Sequence, residues 1–222
     1  MISKRSLLRS SAIALSLLIC ATLTRADALI DMTRELTVSK MTLSEEMHAI
    51  WVPPEFILIS IPDVDSLQRA EFIASHNGYA IFFVGRSRMT KTGEMLSLSR
   101  AEISPTTRLH FDDGSSARPL DEVAIPSAIA NYLTMQMPLI NRGGAQSARY
   151  VAVVFRDTDA DGLSRLRPTG SGTVRLSVDG EMFSWKLPIV SMLAPAIDPL
   201  TGASFPANYL YNPFTGQRLG IR

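Results

Sequence analysis

The 222-residue sequence predicts a mainly β chain: an antiparallel β-sandwich, Ig-like or related, with one or two short helices and a ribbon-like, turn-rich C-terminal tail. Three observations predict it. Short segments rich in β-branched and aromatic residues recur between residues 36 and 187, turn signals separate them, and residues 173–187 spell out a complete hairpin.

In chain order, strands are expected at Leu36 to Leu43, Phe56 to Ile61, Tyr79 to Val84, Glu94 to Ile103, Arg108 to Phe111 and Tyr150 to Phe155. Asn77-Gly78, Thr92-Gly93, Asp112-Asp113-Gly114 and Gly143-Gly144 supply turns between them. The run Val151-Ala152-Val153-Val154-Phe155 is apolar on both faces, which marks a central strand. Asp63 or Asp65 can cap a helix reaching Ala74. A second helix fits Ser127 to Met137, where Ile129, Leu133 and Met137 recur every four residues before Pro138 ends it. In the hairpin, Val174, Leu176 and Val178 alternate with polar residues, Asp179-Gly180 forms a two-residue turn, and Phe183, Trp185 and Leu187 resume the alternation. That turn sets Leu176 opposite Phe183 and Val174 opposite Trp185 on one buried face.

Residues 1–28 read as a cleavable secretory signal. Lys4, Arg5 and Arg9 precede an uncharged apolar stretch from Ser11 to Leu23, and Ala26-Asp27-Ala28 has the small-residue form that signal peptidases read. The stretch is too short to span the ~30 Å hydrocarbon core as a helix. Cleavage after Ala28 implies a periplasmic or secreted protein with a sandwich at 29–193 and an appendage at 194–222. Leu17-Leu18-Ile19-Cys20 resembles a lipoprotein signal, but Ile19 stands where such signals carry a small residue.

Processing removes Lys4, Arg5, Arg9, Arg25 and Asp27, leaving 18 basic and 20 acidic residues and a formal charge of −2. Neither sign dominates, so no nucleic-acid footprint is expected. Cys20 is the only cysteine, so the mature chain has no thiol nucleophile, disulfide or thiolate metal ligand. No later segment has the apolar length of a transmembrane helix.

Two segments invite a ligand reading. Asp157-Thr158-Asp159-Ala160-Asp161-Gly162 resembles the D-x-D-x-D-G start of a calcium loop, in which alternate carboxylates converge on one hard cation. The twelfth position is Pro168 rather than Glu, so Asp157, Asp159 and Asp161 predict weakly bound calcium or, alternatively, a solvated loop balanced by Arg156, Arg165 and Arg167. Farther on, Asp198-Pro199-Leu200-Thr201-Gly202 recurs as Asn212-Pro213-Phe214-Thr215-Gly216. Residues 195–220 thus resemble a zinc-ribbon hairpin with Asp198, Thr201, Asn212 and Thr215 at the cysteine positions. Those donors are too hard for zinc, so no zinc is expected, and Asx and Ser/Thr turns would hold the knuckles instead. Two unrelated turns remain the plainer alternative. Phe205, Tyr209, Tyr211 and Phe214 are expected to pack the tail against the sandwich, with an exposed interaction surface as the alternative.

The histidines, His48, His76 and His110, are far apart and lack partners at metal-ligand spacing, so surface or partly packed roles are expected. His110 beside Asp112 and Asp113 is the one constellation for a hydrolase. Trp51-Val52-Pro53-Pro54-Glu55-Phe56 fits a binding edge or, more simply, a rigid linker. The sequence therefore predicts a non-enzymatic envelope binding, accessory or scaffold module with an unknown partner. A calcium-dependent module and an envelope hydrolase near His110 are the alternatives.

Overall fold

The computed structural model describes residues 29–60, 65–143 and 149–221. The expected signal segment with Cys20, the alternative cap Asp63 and the turn residue Gly144 lie outside them.

The described residues form two antiparallel sheets face to face, with helices covering the outer face of one. Helix α1 (residues 29–36) leads into β1 (Thr37–Met41) and β2 (Glu45–Trp51). The short helix α2 (Pro54–Ser60) and α3 (Ser66–His76) precede the long strand β3 (Tyr79–Met89), followed by β4 (Met95–Ser97) and α4 (Arg100–Ile103). Next come β5 (Thr107–His110), β6 (Ser116–Ala117), α5 (Ser127–Gly143), β7 (Tyr150–Arg156), β8 (Gly172–Val178) and β9 (Glu181–Leu187). Sheet A runs β1-β2-β3, and the far side of β3 is shared by β7 along Tyr79–Gly85 and by β4 along Ser87–Met89. Sheet B runs β6-β5-β8-β9. The tail makes its own small sheet from β10 (Ala196–Ile197), β11 (Ser204–Phe205) and β12 (Gly220–Ile221).

Alternation along the strands builds the core. Met47, Ala49, Trp51, Phe82, Val84, Val153 and Phe155 of sheet A meet Leu109, Val174, Leu176, Phe183 and Trp185 of sheet B in one buried cluster, which Met32 and Leu36 of α1 close. The β8–β9 register is Leu176 to Phe183 and Val174 to Trp185, and Asp179 and Gly180 take the positive φ values, 50° and 86°, that the two-residue turn requires. On the other face of sheet A, Ile81, Phe83, Ala152 and Val154 pack under Ile57, Ile129 and Leu133 of the helices.

Several elements differ from the sequence expectation. Of the expected strand Phe56 to Ile61, Phe56 to Ser60 are helical and Ile61 lies outside the described residues: Pro54 opens α2, where its fixed φ suits the first helical turn, and the apolar run gave no period to separate the two states. The segment from Glu94 divides into β4 and α4, because the Ser99 N–H and hydroxyl donate to the Glu102 carboxylate at 2.7 Å and start a helix. Helix α5 passes through Pro138 to Gly143. Pro138 and Thr134, whose carbonyl loses its usual donor, both lie on the exposed face, where water can serve. Strand β2 was not expected at all. Finally, among the described residues β7 pairs with β3 alone and is buried by the layers above and below it rather than by a strand on each side. Its outer edge is closed by the Leu120 N–H, which donates to the Val154 carbonyl at 2.7 Å, and by the Arg100 guanidinium, which donates to the Ala152 carbonyl.

Candidate functional site

A pocket of about 290 Å³ opens where β2 ends, β3 begins and β7 runs out into its acidic loop. Its walls are largely apolar, with Trp51, Pro53, Pro54 and Ile73 among them, and Glu55, His76 and Arg167 bring charge or proton chemistry. Glu55 is set by the first turn of α2, and His76 is the last residue of α3.

His76 is 2% exposed. Its ring stacks on Phe72 at 4.0 Å and meets the edge of Tyr132 at 6.2 Å, so it is a core residue rather than the surface or partly packed one expected. Nδ1 lies 2.8 Å from the Phe72 carbonyl. A carbonyl only accepts, so Nδ1 carries the hydrogen and Nε2 of the neutral ring is a bare lone pair. That Nε2 is buried without a partner, and so is Glu55 Oε2. Burial holds the imidazole below its ordinary 6.5 against the opposing pull of the Phe72 bond, and burial pushes the Glu55 carboxyl above 4.5. The same low-dielectric pocket thus favours neutral forms of an acid and a base.

The His76 contribution to folding has a definite sign. The unfolded chain binds a proton near 6.5, the folded chain only at lower pH, so stability falls as pH drops below about 6.5 toward the folded value. Glu55, with its raised pKa, has the opposite sign, its contribution fading as pH rises above about 4.5. Urea melts at about pH 7.5 and about pH 5.5 should therefore show wild type losing more stability than His76→Gln. Equal losses would refute a buried neutral imidazole.

Asp157 also lines the pocket but is fully engaged. Its carboxylate accepts from the Ser164 hydroxyl at 2.5 Å and from the Arg165 and Leu166 N–H groups at 3.2 Å, while burial, the largest influence, pushes its pKa up. Asp159 turns the other way, accepting from the N–H groups of Asp161 and Leu163 at 2.9 Å. Asp161 is exposed at the loop tip. The structure does not bring the three carboxylates together, and among the described residues no group of three His, Cys, Asp or Glu side chains is arranged to hold a metal ion.

His110 lies 2.8 Å from the Ser177 hydroxyl. Asp112 and Asp113, which the sequence placed beside it, pair instead with Arg175 at 3.0 Å and Arg165 at 3.1 Å. Among the described residues, the His110 pair therefore has a hydroxyl but no orienting carboxylate.

The tail is two matching knuckles. Asp198 accepts from the N–H groups of Leu200 and Thr201, and Asn212 accepts in the same way from Phe214 and Thr215. Between them the Asn212 amide donates to the Asp198 carboxylate at 2.5 Å, and both residues are buried. That amide, then the Leu200 N–H, holds the Asp198 carboxyl below its ordinary range. Phe205 is half-buried, but the other three aromatics are not packed against the sandwich as expected. Tyr209, Tyr211 and Phe214 are 42%, 57% and 87% exposed, and the rings of Tyr209 and Phe214 lie 6.5 and 6.4 Å from that of Phe205.

No family model matches this chain, and neither a curated protein nor a solved structure matches it. In the sequence Glu55 belongs to a proline linker and His76 is an isolated histidine; their convergence depends on the start of α2 and the end of α3 lining one pocket. Among the described residues, no helix is long and apolar enough to cross a membrane.

Proposed function

We propose that this chain is an exported ligand-binding module of the cell envelope, and that its ligand occupies the pocket lined by Glu55 and His76. One observation carries the reading: Glu55 Oε2 and His76 Nε2 are two buried polar atoms without partners, and both belong to residues that line one pocket. Leaving such an atom unpaired costs about 1–3 kcal/mol, so a site that keeps two is suited to a molecule that satisfies both. Export rests on the pattern of residues 1–28.

The chemistry of the wall defines the ligand class. A bare imidazole nitrogen needs a hydrogen-bond donor, a carboxyl takes a donor as well, and Trp51, Pro53 and Ile73 suit an apolar body. A small amine or alcohol with an apolar portion meets all three conditions. The test is a thermal-shift panel of such amines and alcohols at millimolar concentration, run on wild type, Glu55→Gln and His76→Phe. At least one compound should raise the wild-type melting temperature and shift both variants less. A panel that moves none of the proteins, or moves all three alike, would overturn the reading.

A further inference from the structure

Strands β1 and β2 set three polar side chains in a row on the helix-facing side of sheet A. Ser39 is opposite His48 in the register, and Glu46 stands two residues before His48 on the same face. Ser39 Oγ is 2.7 Å from His48 Nδ1, and His48 Nε2 is 2.8 Å from Glu46 Oε1. The carboxylate only accepts, so Nε2 carries the hydrogen. In the neutral ring Nδ1 is then a lone pair, and the Ser39 hydroxyl donates to it. Hydroxyl, base and orienting carboxylate are thus in line and in the protonation pattern that activates a nucleophile.

The surroundings fit that use. His48 and Glu46 are mostly covered, with side chains 17% and 12% exposed, whereas Ser39 is exposed. Tyr150 faces the imidazole at 6.2 Å across Gly85, which is opposite both residues and presents no side chain between them. The backbone contributes too. The Thr42 N–H donates to the Glu45 carbonyl at 2.8 Å, which makes that pair hydrogen-bonded; alternation then leaves Ser39 and His48 a non-hydrogen-bonded pair. The Ser39 N–H consequently points away from β2, toward the outer edge of β1, the first strand of the sheet. An N–H donor on the nucleophile's own residue is where an oxyanion can be stabilised.

We propose that Ser39, His48 and Glu46 form a second site, a nucleophilic relay that hydrolyses carboxylic esters. Ser39 Oγ attacks the ester carbonyl carbon as its proton passes to His48 Nδ1. The C–O bond to the alcohol breaks as His48 returns that proton to the leaving oxygen. Water, deprotonated by the same imidazole, then cleaves the acyl–Ser39 bond, releasing the carboxylic acid and restoring the hydroxyl. Ser39 is the nucleophile, His48 the base, and Glu46 a positioning residue. Because Ser39 sits on an exposed strand edge, the fitting substrate is a short acyl ester carried on a larger soluble molecule.

The full chain should be treated with a fluorophosphonate, which traps activated serines, and assayed on p-nitrophenyl acetate. An adduct on Ser39 is expected, absent in Ser39→Ala, which is exposed and should melt as wild type does. His48→Ala, with His48→Gln as a second substitution, should slow labelling by about 100-fold or more. Glu46→Gln should slow it at neutral pH and make the rate climb more steeply with pH, a change that a purely structural role would not produce. No adduct in wild type, an adduct elsewhere, or labelling of both His48 variants at the wild-type rate would overturn the proposal.

Discussion

Trp185→Ala is expected to lower the stability of the folded chain by about 4 kcal/mol, the range for emptying a buried aromatic site. Trp185 is 2% exposed and packs on Phe82 at 5.4 Å, so it joins the facing surfaces of the two sheets. Its Nε1–H also donates to the Leu36 carbonyl at 2.8 Å, tying β9 to the last turn of α1. The substitution removes both the volume and the bond. Trp185→Phe separates them: it keeps most of the apolar area but leaves the buried carbonyl without its donor, and should cost about 1–3 kcal/mol. Urea unfolding with an unchanged slope is the measurement. A loss under about 1 kcal/mol in the alanine variant would mean that the sheets do not depend on this contact.

Arg86→Ala is the next largest effect expected. The Arg86 side chain lies inside the sandwich at 6% exposure, donating to Glu45 of β2 and to Asp179 in the β8–β9 turn, both at 2.5 Å. Arg88 donates to the same two carboxylates from the rim. Breaking a buried pair costs about 3–5 kcal/mol, but both carboxylates keep Arg88 and some access to water, so a loss of roughly 2–3 kcal/mol is expected. The Arg86 and Arg88 guanidiniums pull the Glu45 carboxyl below its ordinary value against the burial that raises it, and Arg86 foremost lowers Asp179. These carboxylates therefore contribute stability at neutral pH that is lost as pH falls through their lowered values. In Arg86→Ala that acid-side loss should shrink. An acid unfolding curve identical to wild type would show that the clamp carries no weight.

Much of the sandwich was legible because alternation is a local signal. The β8–β9 register could be read directly from Asp179-Gly180 and the residues around it. Strand β2 was not, although it forms a hairpin with β1: Glu45-Glu46 opens it with charge, and the turn residues Leu43-Ser44 carry no Asn-Gly or Asp-Gly signal. α2 escaped for a different reason: Ile57, Leu58 and Ile59 are apolar in sequence, and only Pro54 signals a helix start. The candidate sites were less legible than the fold. Glu55 and His76 come to line one pocket, and Ser39 meets His48, only after helix ends or strand partners are fixed in space. A scan for spaced ligands cannot see either encounter.

Closing the two knuckles of the tail with an amide and a carboxylate determines which conditions can open them. The Asn212–Asp198 bond forms from groups that the chain carries wherever it folds. Its integrity does not depend on a supply of metal or on the oxidation state of a thiol, so a chelator or an oxidant has no group at that junction to act on. Strong acid does, because protonating Asp198 removes the negative charge that strengthens the bond from the Asn212 amide. For a chain expected to fold outside the cytoplasm, the C-terminal hairpin is thereby insulated from two variables of that environment and exposed to a third.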